Sequence, residues 1–291
     1  MKTIREQVEE VMNSKGSKQT KGLSLIKLGL TKFEVNMLLG SIPVIPSKRG
    51  FNANLLTFGI EIECFNILRD SLIENATRKN VNIQSQGYNH ADSKEFFKIV
   101  SDCSIQGENA NEVVSPILKG KSGENSLKMV CDSLNECGAK VNKSTGLHVH
   151  FDASKISDDH FVRIFKNYQK IERIIDSFMP QSRRENNNRF CKSLAGSNFN
   201  NCETKGEVIS YLGSRYYKVN AEAYLRHKTV EFRQHSGTTE YDKIINWVNF
   251  LRRLINFSFD KEIQECTNIE TIPFLTNEEK VFFINRRTQL N

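Results

Sequence analysis

The sequence predicts an α+β protein in which helices stack on one side of a mostly antiparallel sheet, preceded by a small helical module. Three observations carry this. Three short stretches, Phe58–Cys64, Leu147–Asp152 and Val230–His235, alternate apolar and polar residues with the period of a strand. Longer segments repeat apolar residues with the helical period. The first fifty residues differ from the rest in charge and end in a Pro-containing linker.

The N-terminal module is expected to span residues 1–50. Ile4, Val8, Val11 and Met12 lie at helical spacing, followed by Leu23, Leu25, Ile26 and Leu28. Thr31 is placed to cap a third helix through Phe33, Val35, Leu38 and Leu39, with Gly40 ending it and Pro43 and Pro46 marking the linker. Nine Lys and Arg against four Glu give this segment most of the chain's net charge of +7. The joint Leu28-Gly29-Leu30-Thr31 suits a helix-turn-helix, so a nucleic acid or a protein is the expected partner; a bundle that only docks on the main domain is equally compatible.

The second domain, residues 51–291, follows the strand Phe58–Cys64 with a helix over Leu68–Lys79 and strands over Phe96–Val100 and Glu112–Val114. Ser126 is predicted to open a helix bearing Leu127, Val130, Cys131 and Leu134, stopped by Gly138. Ser157 caps a longer one with an apolar stripe from Phe161 to Phe178, ended by Pro180. Residues 181–206 are polar and lack periodicity, the pattern of a functional or solvated loop; Arg183, Arg184 and Arg189 there suit phosphate oxygens. A helix over Tyr241–Phe257, with Trp247 at its margin, and a capping box from Thr276 to Glu279 complete the reading.

By strand parity one face of the sheet carries Glu61, Glu63, His148, His150, Asp152, Glu231, Arg233 and His235, while Lys228 points away. A solvated face draws on Thr, Lys and Ser; like-charged carboxylates side by side repel unless a cation sits among them. The pattern therefore points to divalent metal and phosphate. His148-x-His150 alone also fits the zinc pair of a metal-dependent hydrolase. Asp102 and Ser104 suit a turn, and His90, His160 and His227 a structural or solvated role. The seven cysteines are scattered, with no C-x-x-C pair, which argues for free thiols. No apolar run approaches the roughly 20 residues of a membrane span and the N-terminus lacks a signal core, so a cytoplasmic protein without membrane contact is expected.

In order along the chain stand Phe58-Gly59-Ile60-Glu61-Ile62-Glu63, Ser101-Asp102-Cys103-Ser104, Glu112-Val113-Val114-Ser115-Pro116, Thr145-Gly146-Leu147-His148-Val149-His150-Phe151-Asp152, Ser182-Arg183-Arg184-Glu185-Asn186, Arg215-Tyr216-x-x-x-Asn220 and His227-x-Thr229-Val230-Glu231-Phe232-Arg233-x-His235-x-Gly237-Thr238. This series resembles the amidoligases of the carboxylate-amine ligase superfamily, which includes glutamine synthetase and glutamate-cysteine ligase and whose members are often of phage or bacterial origin. The likeness runs from about Phe58 to Asn256. One departure is Phe97-Lys98-Ile99, where a Trp is expected shortly before the Asp-x-Ser motif.

The resemblance implies a glutamine-synthetase-like sheet of about six strands whose concave face binds ATP and Mg²⁺ or Mn²⁺. It implies Glu61, Glu63, Glu112, His148 and Glu231 as metal ligands and Arg233 as a phosphate contact. It also suggests catalytic roles for His150, Arg183 and Arg184, and nucleotide contacts for Arg215 and Asn220. The implied activity joins a small-molecule, peptide or protein carboxylate to an amine through an acyl phosphate. That chemistry asks for such residues, because hard oxygen ligands hold the cations and arginines meet the phosphate. The amine must lose a proton, for which His150, Asp102 and Asp152 are the candidates. The competing expectation is a catalytically silent relative that serves as a binding or virion-associated protein.

Overall fold

The alternating segments pair edge to edge into one sheet whose two faces differ sharply in chemistry. The computed structural model describes residues 3–30, 35, 39, 51–87 and 95–290, and the chain divides into units Met1–Phe51 and Asn52–Asn291.

In the first unit α1 (Ile4–Asn13) starts at Thr3, whose side chain and that of Glu6 cap each other's backbone N–H, and α2 (Lys18–Lys27) starts at Ser17. Leu25 of α2 is buried with Val35 and Leu39, and Val8, Val11 and Met12 pack against them. Val35 and Leu39 are helical; the rest of the predicted third helix, and the linker with Pro43 and Pro46, lie outside the described residues.

The second unit is built in chain order from β1 (Phe58–Cys64), α3 (Arg69–Arg78), β2 (Ile83–Ser85), β3 (Phe97–Ser101), β4 (Asn111–Val114), α4 (Gly120–Glu136), β5 (Leu147–Asp152), α5 (Asp158–Ser177), α6 (Lys205–Leu212), β6 (Val219–Asn220), α7 (Ala223–His227), β7 (Thr229–Phe232), α8 (Tyr241–Phe257) and α9 (Asn277–Leu290). Among the described residues the sheet has seven strands in the order β2-β3-β4-β1-β5-β7-β6, rather than about six. The short edge strands β2 and β6 carry too few residues for alternation to reveal them. Every neighbouring pair is antiparallel except β2 with β3.

Register sorts the faces. Ile60, Ile62, Ile99, Val113, Val149, Phe151, Val230 and Phe232 are buried on one side, where Tyr168 of α5 lies 5.7 Å from the Phe232 ring. Stripes of α4, α5 and α8 are buried with them. Trp247 is not marginal: it is fully buried, 5.1 Å from Phe250 and 5.7 Å from His235. The opposite face holds the polar residues, so the period-two pattern alone separates core from site.

Three local expectations change. Helix α4 starts after Lys119 and not at Ser126, because Gly123 serves packing: a Cβ there would sit 2.9 Å from Leu118 Cβ. Strand β7 stops at Phe232, and His235 turns from the polar face to lie against Trp247, the rings tilted by 42°, with Nδ1 2.7 Å from the Ser236 carbonyl. Lys228 precedes the strand in a left-handed conformation (φ 56°), so parity does not govern it, and it lines a cavity on the polar face. The cysteines are unpaired, and no helix among the described residues is long and apolar enough to cross a membrane.

Buried His160 of α5 places Nε2 2.7 Å from the Ile255 carbonyl. Burial outweighs that bond and pushes its pKa down to about 4. The unfolded chain binds this proton near pH 6.5, so the histidine's contribution is complete above that pH and is lost as pH falls toward 4. In urea titrations His160→Gln is expected to weaken this acid lability by on the order of 2 kcal/mol at the acid end. An unchanged pH profile would contradict it.

Candidate active site

On the polar face four strands bring side chains together that lie far apart in sequence. β1 supplies Glu61 and Glu63, and β5 supplies His148 opposite Glu61. β4 supplies Glu112 opposite Glu63, and β7 supplies Glu231 opposite His150. His148 Nδ1 is 2.8 Å from Glu61 Oε2 and 3.5 Å from Glu231 Oε1, while its Nε2 is 3.5 Å from Glu63 Oε1. His150 Nε2 is 3.3 Å from Glu61 Oε1 and its Nδ1 is 3.0 Å from the Thr229 hydroxyl. Gly146 allows this crowding: its N–H donates to Glu63 Oε2 (2.6 Å), and a Cβ would lie 3.0 Å from His148 Nε2 and from Arg183 Nη2.

The donor atoms form overlapping groups, Glu61–Glu112–His148, Glu61–His150–Glu231 and Glu63–Asp102–Glu112, each within 4.8 Å. Asp102 thus does more than make a turn. Its Oδ1 accepts the Ser104 N–H (2.7 Å), and the carboxylate also joins Glu63 and Glu112. Its place before Cys103 and Ser104 signals only the turn, so its share in the cluster is not legible locally.

The electrostatics are those of a site that expects cations. Burial raises the pKa of Glu112, and the charges of Glu61, Glu63 and Asp102 push it further, well above the usual carboxylate range. Burial also works against ionised Glu61, but His150 and His148 outweigh it and hold that carboxyl well below its ordinary value. Glu231 is held down likewise, against burial, by Arg233, whose Nη1 is 2.5 Å from Oε1, and by His150 and His148. His150 is raised by Glu231 and Glu61 despite its burial. Glu61, Glu63, Glu112, Asp102 and Glu231, with one imidazole, fit one or more hard divalent cations.

A metal response follows. Glu112→Gln removes one of the crowded carboxylates, so in metal-free buffer its unfolding temperature should exceed that of the unsubstituted chain by about 2–4 °C. Mn²⁺ should stabilise the unsubstituted chain and have little effect on the variant. Scanning calorimetry with and without Mn²⁺ measures both; equal metal responses would contradict the assignment of Glu112.

Two cavities flank the cluster and share Glu61, Glu112, His150 and His227 in their walls. The larger, of about 720 Å³, is lined by Arg183, Arg189, Arg215, Arg226 and Arg233 and by Phe190 and Tyr216. Arg183 is buried; Nη2 donates to the Thr145 carbonyl (2.5 Å), while Nε has no hydrogen bond. Arg215 lies over the Tyr216 ring at 5.1 Å, and Arg189 over Phe190 at 4.6 Å. Arg226, on the one-turn helix α7, has no sequence pattern to announce it.

Three predicted site residues stand differently. Arg184 lines neither cavity and donates from Nε to the Met179 carbonyl (2.7 Å), since the turn Gln181–Arg183 aims only Arg183 inward. Asn220 borders the larger cavity, but its Nδ2 donates to Glu231 Oε2 (2.6 Å) and its Oδ1 accepts the Glu222 N–H (2.8 Å). These bonds tie the Asn220 amide to the Glu231 carboxylate and to the backbone of Glu222. Asp152 lies outside the carboxylate cluster, accepts the Ser154 N–H (2.8 Å) and lines the smaller cavity.

A buried carboxylate–imidazole cluster beside an arginine-lined basin has the makeup of a site for metal-assisted chemistry on phosphate. The profile of a protein family described as "Putative amidoligase enzyme" matches residues 54–255. The chain belongs to this amidoligase family. No curated protein matches it. Among solved structures, a bifunctional glutathione synthetase from Pasteurella multocida is similar at 14% identity over 82% of this chain, with a TM-score of 0.41. The chain spans 41% of that protein, a likeness too distant to carry an argument.

Proposed function

We propose that the chain is an ATP-dependent carboxylate–amine ligase with a glutamine-synthetase-like catalytic unit, and that it forms an amide or isopeptide bond through an acyl phosphate. The observation that carries the reading is that the carboxylate–imidazole cluster and the arginines line one and the same cavity. In this reading Arg183, Arg189, Arg215 and Arg233 receive the triphosphate, and Phe190 or Tyr216 meets the base. Glu61, Glu63, Glu112, His148 and Glu231, joined by Asp102, hold Mg²⁺ or Mn²⁺. An ion held by these residues would supply charge neutralisation at the phosphates and polarisation of the transferring phosphoryl group.

One oxygen of the substrate carboxylate attacks the γ-phosphorus and ADP leaves. The amine nitrogen then attacks the acyl carbon and inorganic phosphate departs. Asp152, outside the metal-ligand set, takes the proton released by the amine. The N-terminal unit, with its basic excess, would bring the enzyme to a nucleic acid or protein partner in the cytoplasm. If the partner is duplex DNA, affinity falls steeply with salt and is lost on deleting residues 1–50.

The direct test is ADP release with Mg²⁺ or Mn²⁺ over a panel of acids and amines. Release that requires both co-substrates supports the ligase. Background release throughout, or metal-dependent hydrolysis without ATP, sinks it, the latter in favour of a His148–His150 hydrolase.

A further inference from the structure

We propose that a third cavity, beside α8, binds a phosphorylated sugar, with Arg252, Arg253 and Lys261 receiving the phosphate. The cavity measures about 430 Å³ and shares no lining residue with the two beside the carboxylate cluster. Helix α8 builds one wall. Asn249, Arg252, Arg253 and Asn256 recur at the three- and four-residue spacing of one helix face, and Asp260 and Lys261 follow just past its end. The turn Ala53–Leu55 adds Asn54 and is tied to the helix by the Ala53 N–H, which donates to Asn256 Oδ1 (3.2 Å).

The solvated face of an amphipathic helix carries such residues too, but Arg252 is not solvated. It is 7% exposed, its Cζ lies 4.7 Å from the centre of the Phe58 ring, and its Nη1 donates to Glu124 Oε1 (2.9 Å) and Asn249 Oδ1 (3.2 Å). Its Nε is buried without a hydrogen bond. A buried donor left unpaired is costly, and an oxyanion seated against the Nε side of a guanidinium takes two parallel bonds there. Three cations and one acid, Asp260, line the cavity; Glu124 and Glu279, which pair with the two arginines, lie outside its lining.

The remaining lining selects what carries the oxyanion. The cavity is larger than a bare phosphate needs, so the bearer is enclosed as well. Asn249 and Asn256 have Oδ1 engaged, which leaves Nδ2 to donate, whereas Asp260 only accepts. Donors and an acceptor together match hydroxyl groups, which need both, and an alkyl chain would leave them unpaired. The charge of Asp260 also opposes a second phosphate or a polycarboxylate. Phe257 and Phe274, with ring centres 5.8 Å apart, offer an apolar edge to the C–H face of a sugar ring.

The test titrates ribose 5-phosphate, ribose, inorganic phosphate and AMP into the full chain in metal-free buffer, followed by calorimetry. Ribose 5-phosphate should bind at least about tenfold more tightly than ribose or phosphate, the worth of one charge-assisted contact. Substituting Arg253→Gln and Lys261→Gln together, both at exposed positions, should cost that binding about tenfold or more. Asp260→Ala should weaken ribose 5-phosphate and spare inorganic phosphate. Arg215→Gln, in the arginine-lined cavity, should leave all four affinities unchanged. Thermal melts check that each variant folds. AMP that binds more tightly than ribose 5-phosphate, and loses its affinity in the Arg253, Lys261 double variant, identifies a nucleotide as the source of the sugar phosphate; weaker AMP binding identifies a free sugar phosphate. Equal affinity for phosphate and ribose 5-phosphate, loss of binding in Arg215→Gln, or a double variant that binds unchanged overturns the proposal. No arm requires ATP turnover or metal, so the ligase reading stands or falls separately.

Discussion

Glu231→Gln is expected to cut ADP release by roughly 10²–10³-fold while the protein remains folded, in keeping with losses seen when one preorganised electrostatic partner is removed. Glu231 is the residue at which the arginine, the two histidines and Asn220 meet. One oxygen holds Arg233 at 2.5 Å and faces His148 and His150 at 3.5 and 3.8 Å; the other accepts from Asn220 at 2.6 Å. The amide has the same shape but no charge, so it weakens the metal site and also frees the Arg233 guanidinium from its anchor. Removal of Asn220 would act only through orientation. Asn220→Ala should therefore lower ADP release far less, by about tenfold, the cost of one lost charge-assisted hydrogen bond. Steady-state ADP release with Mn²⁺ measures both variants. If Glu231→Gln is as active as the unsubstituted chain, Glu231 is not a metal ligand of the reaction.

The difference between those two residues reflects what a sequence can display. Glu61, Glu63, His148, His150 and Glu231 are legible because strand parity alone puts them on one face. Parity also places Lys98 there, between Phe97 and Ile99. Asn220 is visible only as a member of a motif, since its partner Glu231 is set by the two-residue pairing of β6 with β7. Arg183 and Arg184 are indistinguishable as letters; a short turn decides which guanidinium enters the basin. His235 illustrates the reverse failure, because alternation continues in the letters after the strand has ended. Local periodicity thus reports the face of a residue within a strand, whereas loop geometry and strand ends depend on contacts distant in sequence.

Lys218→Met should be the most damaging single change to stability, about 3–5 kcal/mol, and should lower the unfolding temperature by about 10 °C. Nothing in Tyr216-Tyr217-Lys218-Val219 marks this lysine, yet it is fully buried, with Nζ 2.8 Å from Glu172 Oε1 and 2.6 Å from Asp176 Oδ1. The two acids of α5 also grip the polar loop: Glu172 Oε2 accepts the Leu194 N–H at 2.7 Å and Asp176 Oδ2 accepts the Glu185 N–H at 3.0 Å. Methionine matches the lysine in bulk but leaves two buried carboxylates without their cation, so the loss is mainly desolvated charge and not a cavity. The combined variant Lys218→Met, Glu172→Gln, Asp176→Asn should then regain a large part of the stability, because amides can keep the loop's N–H bonds without needing a counter-charge. The same loop carries Arg183, Arg189 and Phe190 into the larger cavity. Lys218→Met should accordingly weaken binding of an ATP analogue even at temperatures where the domain is folded. Chemical unfolding and analogue titration on the same preparations separate the two effects. A single variant that unfolds within 1 kcal/mol of the unsubstituted chain would show that the lysine is not what holds this loop to α5.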